Sequence, residues 1–462
     1  MSDAKKSTQQ GDLAARVFVW VVWLAMSMSL VVFFLRDRTN VPLAEDWYIV
    51  PALTGHETNF GGWLWSQNNE HRVPLPRLVY FAALKLTGGK FSAVGALNAL
   101  MLISSAAGLV LFMRSWRRGR TDFADAFFPV LLLNWGHSSH VLFPFLISLV
   151  MPVMATIVIG CALCRPESIS GTRMALVVSA CLVSLPLCGF VGLLYIPTFA
   201  AASGYIAWAL SKGRRGWPKR TAPAVILAAG VVVATGVSAL YFIGYSPPEW
   251  NPPSPGTHAS FRAGLRVLAL GFGVAAEGAW RPFIMLTAVL IVATVGCLWG
   301  GLRRGSVMER GRGLGVALFA ATSLAFAFAV GWGRAGWEAE FGIPARYALL
   351  VAPAFVSCFM VWDALGGPLL RRWVPRALAC VLLILVPLNT RAGNTWFADW
   401  YRQGMRSLGR DLAAGLSTDE LARRHQEFLV HWWTPEVLET HMQYLQEAGI
   451  RPFDKAGIKQ RK

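Results

Sequence analysis

Long uncharged apolar tracts recur along this chain, separated by short segments that hold nearly all of its charge. A helix rises about 1.5 Å per residue, so roughly twenty apolar residues cross a hydrocarbon core about 30 Å thick. Val17–Leu35 and Phe91–Met113 each predict one crossing. Ala126–Cys164 is uncharged and long enough for two, turning near Asn134–His140, and Met174–Ser211 predicts two more with a break at Pro186–Gly189. Thr221–Tyr245, Pro282–Leu302, Gly313–Trp332, Tyr347–Trp362 and Ala377–Thr390 complete a count of about eleven, the last two being short. The pattern predicts an all-α, polytopic membrane protein.

Charge supplies an independent check, because the loops on the cytoplasmic face should be rich in Lys and Arg. Alternate loops are basic: Arg114, Arg117, Arg118 and Arg120; Arg165 and Arg173; Lys212, Arg214, Arg215, Lys219 and Arg220; Arg303, Arg304, Arg310 and Arg312; Arg371, Arg372 and Arg376. The N-terminus belongs to this group through Lys5, Lys6 and Arg16. The apolar run that follows is longer than the roughly 7–15 residues of a cleavable signal and ends at Arg36-Asp37-Arg38, which predicts a retained first span with a cytoplasmic N-terminus. A net charge of +18 would suit nucleic acid, but its distribution over short loops argues against it. All seven cysteines fall in apolar tracts, so no disulfide framework is expected, and Cys161 and Cys164 lack the second pair of a zinc finger.

The non-cytoplasmic segments are then Arg36–Lys90, the turn at His137–His140, Gly244–Arg281, Gly333–Arg346 and everything after Arg391. The first holds 55 residues, far more than a connection requires, so function is sought on this side. Within it, Leu78–Leu86 has the pattern of an amphipathic helix lying on the bilayer surface. Residues 1–390 form the multi-span unit, and 391–462 reads as a charged helical tail. Ser417 with Glu420 makes a capping box there, and Pro435 takes a first helical position.

Chemistry concentrates in three places. Glu45-Asp46 stands just past the first span, where carboxylates serve as a general base or as hard oxygen ligands for Mg²⁺ or Mn²⁺. Further on, Glu70, His71, Arg72 and Arg77 place acid, imidazole and guanidinium together; Asn69, Arg72 and Pro76 have the spacing of one helical face, and the two arginines are phosphate-clamp candidates. Arg334, Glu338, Glu340, Arg346 and Tyr347 form the third group. Its arginines run against the positive-inside trend, so each calls for an anionic partner, either Glu338 or Glu340 or a lipid phosphate. His137 and His140 are two candidate metal ligands or proton carriers, an incomplete set. The chain carries no P-loop and no dinucleotide-binding glycine pattern.

An acidic pair soon after the first helix, inside a long first external loop, resembles the GT-C superfamily of membrane glycosyltransferases, as do the expected span number and the appended tail. That resemblance implies a polyprenyl-phosphate-sugar donor and a glycan, lipid or protein acceptor. It implies Asp46 as the prime catalytic carboxylate or metal ligand, supported by Glu45. Arg334 and Arg346 would hold the lipid phosphate, with Arg72 and Arg77 in reserve. A bacterial inner membrane follows from the same likeness. The chain departs from the family in having no long catalytic C-terminal domain and no oligosaccharyltransferase signature. The alternatives are a transporter or flippase of lipid-linked sugars, which would use charge inside the bundle, and a surface-polysaccharide polymerase or ligase with its defining elements in later loops.

Overall fold

The computed structural model describes residues 2–213, 219–304 and 307–457. Arg214 and Arg215, and the side chains of Lys5, Lys6, Arg304, Arg310 and Glu340, lie outside the described residues. The described chain is helical almost throughout, and its only β pairing is an isolated bridge between Asn68 and His71. Backbone groups in hydrocarbon must be satisfied within their own segment, and helices do this without an edge.

Among the described residues, seven helices are both long and apolar enough to cross a membrane: Gln10–Asp37, Phe91–Trp116, Pro144–Cys164, Thr221–Tyr241, Val274–Arg303, Gly311–Gly333 and Ala345–Leu365. The chain is a multi-pass membrane protein whose outward side chains, such as Val21, Leu111, Val232 and Val292, are exposed to lipid. Four further tracts in the predicted eleven are shorter or less apolar. Phe127–Leu133 holds 7 residues, Thr172–Leu187 16 and Ile196–Lys212 17, while Pro368–Gly393 carries Arg371, Arg372, Arg376 and Arg391. The shortfall has a physical cause. Proline and glycine at Pro144, Pro186 and Gly189 break the two long tracts into pieces, and irregular turns fill the space between them.

Two separate sets of polar contacts tie the loops together, one at each end of the bundle. At the end rich in arginine, Arg117 bridges Asp125 at 2.7 Å and Asp363 at 2.6 Å, Arg376 holds Asp122 at 2.9 Å, and Arg312 reaches Glu167. Asp12, near the chain start, accepts the Thr121 backbone N–H at 2.7 Å. These are the segments that the charge pattern groups on one face. At the other end the first loop, the 244–246 segment, the 334–347 segment and the tail join one another, as the site below shows.

The His137–His140 turn is seated at that second end by two glycines that permit close backbone approach. A Cβ on Gly95 would lie 2.3 Å from the Val141 carbonyl oxygen, and one on Gly393 would lie 2.0 Å from that of Trp135. The tail forms three helices, Asp399–Ala413, Thr418–Val430 and Pro435–Glu447, and the expected capping box at Ser417 and Glu420 is present. These helices pack on the first loop: Tyr401 meets Thr39 at 2.7 Å, Asn40 donates to the Arg451 carbonyl at 2.7 Å, and the His56 ring stacks on Tyr444.

Breaking a buried ion pair leaves an uncompensated charge and costs about 3–5 kcal/mol, whereas a half-exposed pair contributes under about 1 kcal/mol. Arg117→Ala, which strands Asp125 and Asp363, is therefore expected to lower the unfolding midpoint of the detergent-solubilised protein sharply. Asp122→Asn, at the more exposed Arg376 pair, should shift it only slightly, and equal shifts would contradict the burial assigned here.

Candidate functional site

Residues Ala44–Ile49 form a short 3₁₀ helix a few residues beyond the first span. With three residues per turn, successive side chains diverge by about 120°, so Glu45 and Asp46 cannot share an environment. Asp46 points into the core with no exposure. Its Oδ1 accepts the Tyr80 hydroxyl at 2.7 Å and its Oδ2 accepts the Leu43 backbone N–H at 3.1 Å. Burial pushes its carboxyl up to about 8, against the opposing pull of those donors. Both oxygens are engaged, which corrects the expectation that Asp46 faces an acceptor or a metal ion.

Glu45 takes the other direction and lies half-buried, in a cluster of charged groups from the first loop, the 334–347 segment and the tail. Desolvation raises its carboxyl pKa; the Arg346 guanidinium and the His431 ring pull it down, and Glu70 pushes it up. Arg346 is exposed, lies over the Tyr347 ring at 5.7 Å, and pairs with no carboxylate among the described residues. The cluster therefore sets one titratable carboxyl against one uncommitted guanidinium.

Glu70 and Arg334 form an ion pair within this cluster, and Arg334 also bonds Tyr347. Burial works to raise the Glu70 carboxyl, but the Arg334 guanidinium outweighs it and holds it below its usual range. His71 is pushed down to about 4 by burial, so its ring is neutral at physiological pH, and its Nδ1 has no hydrogen-bond partner. The expected pairing of Arg334 with Glu338 is not formed. Glu338 instead bonds Arg266, whose guanidinium lies over the Trp280 ring at 5.5 Å.

Arg72 and Arg77 are not available as phosphate clamps. Arg77 donates to the Trp63 carbonyl at 2.6 Å and to the carbonyl and hydroxyl of Ser66 at 2.8 Å, closing the end of the Phe60–Trp65 helix. Burial lowers its pKa to about 10. Arg72 donates its guanidinium to the Gly244 carbonyl at 2.8 Å and its backbone N–H to the Tyr241 hydroxyl oxygen at 3.1 Å, fastening the first loop to the Thr221–Tyr241 helix. Asn69, Arg72 and Pro76 do not share a helical face, because Pro74 can only begin a helix and Asn69 occupies a left-handed turn at φ 50°. The expected surface helix exists as Pro74–Leu86, with Tyr80 and Leu84 buried and Leu86 outward.

His137 and His140 are buried, their ring centroids 5.5 Å apart. His137 Nε2 bonds the Leu131 carbonyl at 3.0 Å, and both ring nitrogens of His140 lack partners. Burial holds both rings neutral, and Arg346 further depresses His140, which places this turn beside the cluster. Mg²⁺ or Mn²⁺ does not fit these donors. The Asp46 oxygens are taken, Glu45 stands beside a cation, and no three His, Cys, Asp or Glu side chains gather among the described residues.

The tail supplies what sequence reasoning missed. His431 caps the Thr418–Val430 helix beside Glu45, while Trp432 and Trp433 donate to the Tyr48 hydroxyl at 3.0 and 3.4 Å. Three aromatic rings in a linker of four residues, ahead of Thr434-Pro435, were the signal.

Asp46 also shapes the pH dependence of stability. A carboxyl near 8 when folded and 3.8 when free holds its proton more tightly in the folded state, so stability falls as pH rises from about 4 to about 8. Asp46→Asn should flatten that decline in unfolding measurements across the window. Tyr80→Phe, which removes a donor from a buried acceptor, should cost about 1–3 kcal/mol. A stability profile unchanged by Asp46→Asn would contradict the burial of this group. No family profile, curated protein or solved structure matches the chain.

Proposed function

We propose that this chain is a membrane glycosyltransferase that moves a sugar from a polyprenyl-phosphate donor to an acceptor hydroxyl, with Glu45 as the base and Arg346 as the phosphate-holding cation. The observation that supports the reading is the charge cluster in which the desolvated Glu45 carboxyl feels the unpaired Arg346 guanidinium, next to the Glu70–Arg334 pair that Tyr347 also joins. It lies where the first span emerges, within reach of a lipid-borne substrate. Eleven crossings with a cytoplasmic N-terminus would set this end outside a bacterial inner membrane, in keeping with the sparse basic charge of its loops.

The chemistry balances without a nucleotide. The acceptor oxygen attacks the anomeric carbon, the bond from that carbon to the phosphate oxygen breaks, and the hydroxyl proton passes to Glu45. The charge left on the polyprenyl phosphate rests against Arg346. A base is most effective when its pKa approaches the working pH, and desolvation moves Glu45 in that direction. Arg334, neutralised by Glu70, positions Tyr347 beside Arg346, and Asp46 acts as the strut that fixes the turn.

Detergent-solubilised protein, supplied with a polyprenyl-phosphate sugar and an acceptor extract, gives the decisive comparison because flipping has no meaning outside a bilayer. Glu45→Gln is expected to lower transfer by about 10²-fold or more at an unchanged unfolding midpoint, and Arg346→Ala to raise KM for the donor. Full transfer by Glu45→Gln would overturn the assignment of the base. Absence of transfer by the folded wild type across polyprenyl-linked sugars would overturn the activity.

A further inference from the structure

A cleft lies at the same end of the bundle, apart from the Glu45 cluster. It has a volume of about 490 Å³ and opens between the 3₁₀ segment Val274–Ala279 and the end of the Pro368–Gly393 helix. Its polar lining comes from Glu277, Arg391 and Thr395, and its outer wall from Leu388 and Trp396. Two hydrogen bonds fix the walls relative to each other: Asn389 accepts the Ala275 N–H at 2.9 Å and donates to the Phe272 carbonyl at 3.0 Å.

Neither ionisable side chain in the cleft is committed. Glu277 Oε1 is shut away from solvent and has no donor, and Arg391 forms no ion pair with a described residue. A buried acceptor without a donor is costly, so the cleft is built for a ligand that brings one. Leu388 and Trp396 are about half exposed, and Ile384, one turn below Leu388, is 73% exposed, so an apolar track descends from the mouth of the cleft. Tryptophan at this level is typical of the bilayer interface.

We propose that this cleft binds the phosphoethanolamine group of a membrane phospholipid, its phosphodiester on Arg391 and its primary ammonium on Glu277, with an acyl chain along Leu388 and Ile384. A guanidinium suits a phosphodiester, and a primary ammonium brings both a donor and a positive charge to the Glu277 oxygen. A glycerol headgroup offers a hydroxyl donor without the positive charge, and a quaternary ammonium offers the charge without a donor.

The full chain, reconstituted in nanodiscs of phosphatidylcholine doped with phosphatidylethanolamine or phosphatidylglycerol and then released for native mass spectrometry, reads the retained lipid. The expected result is one phosphatidylethanolamine held at least about tenfold in preference to the other two. Arg391→Ala should abolish retention of every lipid, and Glu277→Gln should retain lipid but lose the preference, both at wild-type unfolding midpoints; Arg391→Lys, which keeps the charge, should retain part of it. Equal retention of the three lipids, or a preference untouched by Glu277→Gln, would overturn the proposal. Soluble glycerophosphoethanolamine forms the second arm, and displacement of the lipid by it at equimolar concentration would overturn the lipid source.

Discussion

A buried carboxyl group governs the arrangement at the loop end of this protein. Asp46 sits in the core with a hydroxyl and a backbone N–H on its two oxygens, an arrangement that tolerates little movement because loss of either donor would leave a buried acceptor unpaired. Tyr80 comes from the surface helix and Leu43 from the chain leaving the first span, so one side chain locks span, turn and helix together. Once the turn is fixed, its pitch decides where Glu45 goes. Tyr48, in the same turn, is held from outside by Trp432 and Trp433 of the tail. The tail thus closes over the turn and brings His431 to the carboxyl that the turn presents.

The two ends of the bundle handle charge differently. At the arginine-rich end Arg117 is held by Asp125 and Asp363, and Arg376 by Asp122, which suits a face that fixes helix ends. At the loop end the Glu70–Arg334 and Arg266–Glu338 pairs coexist with ionisable groups that have no ion-pair partner among the described residues, Arg346 near Glu45 and Glu277 and Arg391 in the separate cleft. Uncommitted charge in partly desolvated surroundings is where a phosphate-bearing ligand gains most.

The membrane class and the grouping of loops were legible because both depend on composition over twenty-residue windows, which a sequence displays directly. Span number was less so: the Ala126–Cys164 and Met174–Ser211 tracts show unbroken hydrophobicity, while Pro144 and Gly189 decide how much of each is regular helix. At the site, Glu45, Glu70, His71, Arg334, Arg346 and Tyr347 were named from sequence and gather in one charge cluster. Their pairings were not legible. Glu70 and Arg334 are separated by 264 positions, and Arg72 and Arg77 are occupied by backbone carbonyls that carry no sequence signature. The order of Glu45 and Asp46 misled for a related reason, since adjacency in sequence says nothing about which side chain the turn directs inward.

The central claim is that the turn divides this acidic pair into an inward strut and an outward base facing Arg346. A cryo-electron microscopy map of the protein in nanodiscs with a non-hydrolysable polyprenyl-phosphonate sugar analogue tests it most directly. The account predicts phosphonate density against Arg346, the anomeric carbon toward Glu45, and Asp46 closed on Tyr80. Density seated elsewhere, or Asp46 turned toward the analogue with Glu45 in the core, would contradict it.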